Sequence, residues 1–492
     1  MSLDAVASAQ DSFLDIPAEL SATSCLVAGD WVNGIGPIFP VLDKYRLRVL
    51  ASIRAATEAQ VNAAVDAADT VFRGGYLNAY ERGAILERAA VLLQQRHQEF
   101  VRVMTCEAGF TAQDAAGEVR RCAETLRLSG EEARRCAGEM IPLEGAPGQA
   151  GRIAFTIRVP LGVVAAITPF NSPLNTVAHK LGPALAAGNA VILKPSSHTP
   201  FTAVLLARVL LDAGLPAGWL SVLQGSAETA NALLRDQRVR FFAFTGSTEV
   251  GRSIQRAAGL RRTQMELGSI ACTIVCSDAN LEHALPRIVN AGYRKAGQVC
   301  TSIQLLLVQQ DCLAQVQERL TAMVRALPCG DPEEPATVVG PMISEAAATR
   351  LEQWINEAVC TGAKKLAGGE RRGAVMPPTL LTNVGDHMRV TCQEAFGPVM
   401  CLVPFKTLDE AISRVNATPY GLATGIFTNR INDALQAARQ LQVGGVHINE
   451  TSSSRVDLMP YGGSKDSGFG REGPHYAVRE MSEERVISIT TV

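Results

Sequence analysis

Of the twelve cysteines in this 492-residue chain, one sits in a setting that suits reaction better than packing. Cys300 lies in Gly297-Gln298-Val299-Cys300-Thr301-Ser302, past a helical stretch and ahead of an apolar strand, whereas Cys272, Cys276, Cys312 and Cys401 sit in or beside apolar runs and read as core thiols. A thiol of ordinary acidity, pKa roughly 8.5, is ionised to only a few per cent at neutral pH, so a nucleophilic cysteine needs a base, a cation or a helix dipole beside it. Spacing alone supplies no such partner, and a buried structural cysteine is the competing reading. Asn171 follows Pro169-Phe170 at the end of an apolar strand and precedes a helix opened by Pro173. An amide fixed there can donate to an oxygen developing negative charge, although a turn asparagine has the same signature. Glu266 and Glu394 lie beside apolar residues and Gly/Pro turns. Each is a candidate base with a raised pKa, or a paired surface charge.

A phosphate-binding signal occurs at Thr245-Gly246-Ser247, between an apolar strand over 240–244 and a helix over 248–258. Glycine permits the turn, and a helix start offers free N–H groups and the positive dipole end. An ordinary strand-to-helix turn reads alike. The literal GxGxxG at Gly468-Phe-Gly470-Arg-Glu-Gly473 lacks a strand–helix context and reads as a loop. No CxxC or HExxH occurs, so no metal site is expected.

The elements that must position these residues follow from periodicity. Strands are expected within 25–51, and helices over 57–68 (behind a Thr57-x-x-Gln60 capping box), 82–94, 98–107 and 113–138. From 151 the text turns to a hairpin strand and a buried strand, then to helix 173–187, strand 190–193, helix 200–213, strand 219–223, helix 227–234, strand 240–244 and helix 248–258. Such alternation implies a parallel, doubly wound sheet, the usual frame of a nucleotide domain. A second α/β stretch has strands at 272–275, 304–309, 399–404 and 425–427 and helices at 281–296, 310–326, 345–361 and 408–417. A strand at 484–492 must pair either with the distant 151–158 hairpin or with another subunit.

Composition bounds the function. With 46 basic and 48 acidic residues the chain is nearly neutral, which argues against nucleic-acid or membrane-surface binding. There is no run of about 18 apolar residues to span a bilayer, and the first residues do not read as a secretory signal. Scattered cysteines favour a reducing cytoplasm over a disulfide framework. Charged residues make up 19% of the chain, against about 25% in ordinary domains, so a large core or a substantial subunit interface is expected.

Together, Thr168-Pro-Phe-Asn171-Ser-Pro173, Lys194-Pro-Ser-Ser197, Phe244-Thr-Gly246-Ser247, Glu266-Leu-Gly268, Gly297-Gln-Val-Cys300, Glu394-Ala-Phe396-Gly-Pro398 and Pro460-Tyr-Gly-Gly-Ser-Lys-Asp-Ser-Gly-Phe-Gly470-Arg-Glu472 resemble the aldehyde dehydrogenase superfamily over nearly the whole chain. The resemblance implies an α/β fold with a Rossmann-like cofactor domain (1–143 and 161–267), an α/β catalytic domain (268–466) and a small β oligomerisation arm (144–160 and 467–492). It makes Cys300 the nucleophile on a small aldehyde, Asn171 and the Cys300 N–H the oxyanion donors, and Glu266 the base that hydrolyses the thioester. Lys180 and Glu472 fall at proton-relay positions. For an NAD or NADP cofactor it places Lys194 on the adenine ribose, Gly246 and Ser247 on the pyrophosphate and Glu394 on the nicotinamide ribose beside Phe396. Ile167, Thr168, Phe170, Ser197, Gly225 and Leu267 complete that set. A homodimer or homotetramer is implied.

Three departures bear on specificity. Ser197 stands where strictly NAD-using relatives often carry a glutamate, so a 2′-phosphate meets no repulsion. Ser172 replaces a common aromatic, and Val299 replaces a basic residue found in phosphorylated-aldehyde relatives. The loop Arg455-Val-Asp457-Leu-Met459-Pro460 is similar to that of lactaldehyde and phosphonoacetaldehyde dehydrogenases, and Arg121 falls at a tunnel-lining helix position. Arg121 and Arg455 are therefore expected to meet an acidic or hydroxyl group on the substrate, unless both are solvated or ion-paired. The competing functions are a thiol esterase or acyltransferase without redox chemistry, and a non-catalytic descendant of the fold.

Overall fold

Val163–Ile167 and Ala190–Lys194 are apolar and buried along nearly their whole length, without the alternation of a half-exposed strand. This is the pattern of strands covered on both faces. The computed structural model describes residues 24–75 and 77–490 together with Ile16 and Leu20. The N-terminal segment read for a secretory signal lies almost wholly outside the described residues. The two strands are central to an eight-stranded sheet ordered Asp30–Val32, Cys25–Val27, Leu220–Val222, Ala190–Lys194, Val163–Ile167, Val239–Thr245, Arg262–Glu266, Gly468–Phe469. Its inner five strands are parallel and its outer three are antiparallel to their neighbours. The helix behind Thr57 runs Glu58–Arg73 and buries Val61, Ala64, Val65 and Ala68; its capping box is present.

A second sheet of seven strands is ordered Lys364–Ala367, Thr379–Thr382, Val399–Phe405, Ile303–Gln309, Ala271–Val275, Ala423–Phe427, Gly445–Ile448, all parallel except the first. Each sheet has its own hydrophobic core. The first draws on residues up to Leu267 and again on Val478 and Met481, whereas the second runs from Ile270 to Leu441. The chain thus changes core between Leu267 and Ile270, directly after Glu266.

The terminal strand, Ser482–Thr490, takes the intrachain option. It pairs antiparallel with Arg152–Pro160 from Ser482↔Pro160 to Thr490↔Arg152, and Met140–Ile141 completes a three-stranded sheet. Of the stretch 467–492 assigned to an arm, Gly468–Phe469 joins the first sheet instead, and Pro474–Glu480 packs on Ala112–Arg135 and Asn175–Ala186.

Two local readings are corrected. The helix expected over 281–296 ends at Tyr293, because Lys295, Ala296 and Gly297 turn left-handed at φ 51°, 52° and 66°. A Cβ on Gly297 would lie 2.3 Å from the Gly397 carbonyl oxygen, so the turn is pressed against that backbone. The strand Arg262–Glu266 was not expected at all. Its text, RTQME, is largely polar, yet Gln264 is buried and its side-chain amide donates to the Arg471 carbonyl at 2.7 Å.

Candidate active site

Cys300, Asn171, Thr245 and Leu267 line two cavities at once, one of about 340 Å³ and one of about 680 Å³, so the thiol stands where they meet. The left-handed turn ahead of Cys300 is held from below by a buried ion pair. Lys295 Nζ lies 2.6 Å from Glu118 Oε1 and donates to the Asn171 carbonyl at 3.2 Å, while sitting 4.5 Å from the centre of the Phe110 ring. Glu118 also accepts from the Ser172 hydroxyl and from the Asn175 N–H. Burial works to raise the Glu118 carboxyl, but the attraction of Lys295 and Arg121 outweighs it and holds the group below its ordinary value. The segment before the thiol and the segment carrying Asn171 are thereby tied to one charge pair. Asn171 Nδ2 donates to the Gln298 carbonyl at 2.8 Å, which fixes the amide and leaves its second hydrogen for another acceptor.

Burial pushes the Cys300 thiol up to about 11, although a hydrogen bond with Tyr461 acts the other way. Glu266, at the end of its strand, is buried, and neither carboxylate oxygen has a hydrogen-bond partner. Burial and then the charge of Glu472 hold it well above the usual carboxylate range. Glu472 is itself bridged by Lys180 at 3.2 Å and Arg455 at 2.8 Å. Two carboxyls with opposite environments, one favouring the proton and one the charge, give a setting for moving a proton.

The larger cavity tests the fit of a dinucleotide. Ile167, Thr168, Phe170, Lys194, Ser197, Gly246, Ser247, Leu267, Glu394 and Phe396 line it. Ser247 caps the helix Thr248–Ala258, and a Cβ on Gly246 would lie 2.5 Å from the Phe244 ring. Thr168 Oγ1 and Thr245 Oγ1 are buried there without partners, so the cavity presents unused polar atoms to an occupant. Burial lowers Lys194 to about 8 and raises Glu394 to about 7. Glu394 accepts from the Ser269 N–H at 2.8 Å, and its approach requires Gly268, where a Cβ would sit 2.6 Å from Oε2. Gly225 does not line the cavity; its neighbours Ser226 and Ala227 do. Ala230, Leu234, Val250 and Ile254, on the helices Ala227–Arg235 and Thr248–Ala258, supply an apolar wall that the motifs did not mark. The residues present fit a dinucleotide.

In the smaller cavity the two arginines take the ion-paired alternative. Arg121 and Arg455 both line it, and both are ion-paired: Arg121 to Asp457 at 2.7 Å, Arg455 to Glu472. Arg287 pairs with Glu450 at 2.9 Å. Arg294 differs. It donates to the Ser453 hydroxyl at 2.9 Å, and among the described residues no carboxylate lies within ion-pair distance of it. The signal in the sequence is the basic pair Arg294-Lys295 ahead of Cys300.

Comparison with known proteins agrees with this geometry. The aldehyde dehydrogenase family profile matches residues 31–487. The chain is 47% identical over 462 residues to 3-sulfolactaldehyde dehydrogenase of Priestia aryabhattai, covering 94% of this chain and 96% of that protein. It superposes with a TM-score of 0.92 on aldehyde dehydrogenase 21 of Physcomitrella patens, solved in complex with the reaction product succinate, at 38% identity and covering 95% of this chain and 98% of that one. It superposes equally well, TM-score 0.92, on NADP-dependent glyceraldehyde-3-phosphate dehydrogenase of Bacillus halodurans complexed with NADP, at 33% identity and covering 95% and 99%. Because the family profile spans nearly all of the chain and these relatives match it from end to end, the chain belongs to the aldehyde dehydrogenase family and is an NAD(P)-dependent enzyme.

Proposed function

We propose that the protein oxidises a short aldehyde bearing an anionic or hydroxyl group to its carboxylate with NAD(P)+, Cys300 serving as the nucleophile, and that Arg294, not Arg121 or Arg455, meets that group. The observation that carries the reading is the place of the thiol, shared by both cavities. The Cys300 thiolate attacks the aldehyde carbon, and the free hydrogen of the Asn171 amide with the Cys300 N–H holds the oxyanion. Lys194, Ser197, Gly246, Ser247 and Glu394 would hold NAD(P)+ in the larger cavity, where it would supply the acceptor for the hydride that leaves the Cys300 thiohemiacetal as it becomes the thioester. Glu266 takes a proton from the water that attacks the resulting thioester, and Glu472 with Lys180 relays it. Ser197 is compatible with a 2′-phosphate, which supports use of NADP as well as NAD. The relative named for 3-sulfolactaldehyde and the one solved with succinate as its reaction product support an acidic substrate.

The test compares Arg294→Met with wild type on a four-carbon aldehyde acid and on the matching neutral aldehyde. A charge-assisted hydrogen bond contributes about 1.5–3 kcal/mol, so kcat/KM on the acid is expected to fall about 10- to 150-fold further than on the neutral compound, whose own loss reports the share of Arg294 in favouring the thiolate. Equal losses on both would remove charge recognition. Hydrolysis of an ester analogue together with no cofactor reduction on either aldehyde would instead favour a thiol esterase.

The arm reading rests on exposed Met140, Ile153, Val486 and Ile489 on the three-stranded sheet, whose outer strand, Ser482–Thr490, has an open edge. A homodimer or homotetramer covers them, and a monomer in sedimentation would overturn this. Among the described residues no helix is long and apolar enough to cross a membrane. All twelve cysteines are free thiols, which supports a cytoplasmic setting.

A further inference from the structure

The Tyr461 hydroxyl lies 2.8 Å from Cys300 Sγ, and nothing in the chemistry above uses it. This phenol is fixed from two sides. The Arg455 guanidinium lies 3.8 Å from the centre of its ring, held there by the Glu472 carboxylate. Its backbone is locked to Glu472 in both directions, Tyr461 N–H to the Glu472 carbonyl at 3.1 Å and Glu472 N–H to the Tyr461 carbonyl at 2.7 Å. Glu472 therefore holds the ring, the cation above it and Lys180 in one unit. A cation over a phenol ring draws electron density from it and strengthens its O–H as a donor.

Resting on Cys300 as nucleophile, we propose that Tyr461 is a further catalytic residue, donating a hydrogen bond to the Cys300 sulfur whenever that atom carries negative charge. Two steps meet that condition. In the first, the Cys300 thiol gives its proton to the Glu266 carboxylate, which passes it on through Glu472 and Lys180, and the sulfur pair makes the C–S bond to the aldehyde carbon while the carbonyl π pair moves onto the oxygen held by Asn171. In the second, the water oxygen bonds to the acyl carbon, its proton goes to Glu266, and the C–S bond breaks with its electron pair returning to Sγ. Tyr461 keeps its own proton throughout, consistent with burial and the neighbouring Cys300 holding the phenol well above its ordinary value. Arg455 acts through Tyr461 as a positioning residue, which accounts for a cation in the substrate cavity that is already neutralised by Glu472.

The groups facing the sulfur are Tyr461 and Arg455 from the C-terminal loop, Glu266 from the end of its strand, Glu394 from the loop before Val399–Phe405, and Arg294 from the turn preceding Cys300. The two carboxyls oppose the thiolate; the phenol and the two arginines favour it. Removing the phenol hydroxyl alone isolates its share.

The experiment is the pH profile of Cys300 alkylation by iodoacetamide without cofactor, with the label mapped by mass spectrometry, in wild type and Tyr461→Phe. The midpoint is expected to rise by about one to two pH units, leaving about 10- to 100-fold less thiolate at neutral pH. The loss in kcat/KM should shrink as pH rises. An unchanged or lower midpoint overturns the proposal, since a packing role does not move it. Arg455→Lys keeps a charge beside Glu472 without the flat stack and is expected to move the midpoint the same way by less. If Tyr461→Phe does not fold, an unmoved midpoint in Arg455→Lys counts against the proposal. Cys300→Ala keeps the two readings apart: retained dehydrogenase activity there removes the nucleophile assignment itself, whatever Tyr461→Phe does.

Discussion

Replacing Lys295 by Met removes the cation that faces Glu118 at 2.6 Å and leaves a chain of similar length beside Phe110. Both side chains are nearly closed to solvent, at 8% and 2% exposure, so little water can take over the lost charge. Breaking one partner of such a pair costs about 3–5 kcal/mol, because the remaining carboxylate is buried without its counter-ion. Each kcal/mol lowers the midpoint of a unit of this size by about 2–4 °C, so the first transition is expected to fall by about 6–20 °C. The pH dependence has a definite sign. In wild type, Glu118 is held below its ordinary value, so its contribution is present above the ordinary carboxylate pKa and is lost as pH falls through the lower folded one. Without Lys295, burial prevails and the folded pKa rises, so stability is lost as pH rises through the carboxylate range. The deficit relative to wild type is therefore smallest near about pH 5 and widens toward about pH 8. Adding Glu118→Gln should restore part of the loss, measured by calorimetry at both pH values. A melting point within about 2 °C of wild type at both, with no recovery in the double variant, would show that the pair is not coupled.

Two further outcomes follow from the site. Asn171→Ala is expected to lower kcat about 10²- to 10³-fold with a small change in KM for the aldehyde, since the amide is used only as the oxyanion forms; steady-state rates check this, and a kcat within twofold of wild type removes the role. Glu394, raised to about 7 by burial, becomes a full acceptor for ribose hydroxyls only as pH rises through that value, so KM for the cofactor is expected to fall across it. Glu394→Gln should flatten the dependence, which initial rates at varied cofactor concentration and pH will show.

The residues that came together round the thiol were visible in the sequence because each sits in a short motif whose neighbours are chemically unusual: Cys300 after Gly297, Asn171 between two prolines, Glu266 before Gly268. The doubly wound order was visible because strands such as Val163–Ile167 are apolar throughout. What escaped was decided by partners far away along the chain. Arg121 and Arg455 looked like substrate cations, but Asp457, 336 residues from Arg121, neutralises the first and Glu472 the second. Arg294 carries a hydroxyl where a carboxylate was equally compatible with the text. The polar strand Arg262–Glu266 has no readable period, since its place is set by pairing with Val239–Thr245 and Gly468–Phe469. Tyr461 lies inside the Pro460-Tyr-Gly-Gly motif, but the sequence does not show that the fold sets its hydroxyl beside the Cys300 sulfur.

The first core takes its last members, Val478 and Met481, from beyond the whole of the second. The second half is therefore a long insertion within the first. A chain emerging from the ribosome can assemble the Ile270–Leu441 core while the earlier half still lacks its closing helix Pro474–Glu480 and the strand Gly468–Phe469 that flanks Glu266. Completion of the reactive centre thus waits until Tyr461 to Met481 have been made, so a product terminated before them retains the thiol but not the Tyr461–Glu472 segment that surrounds it.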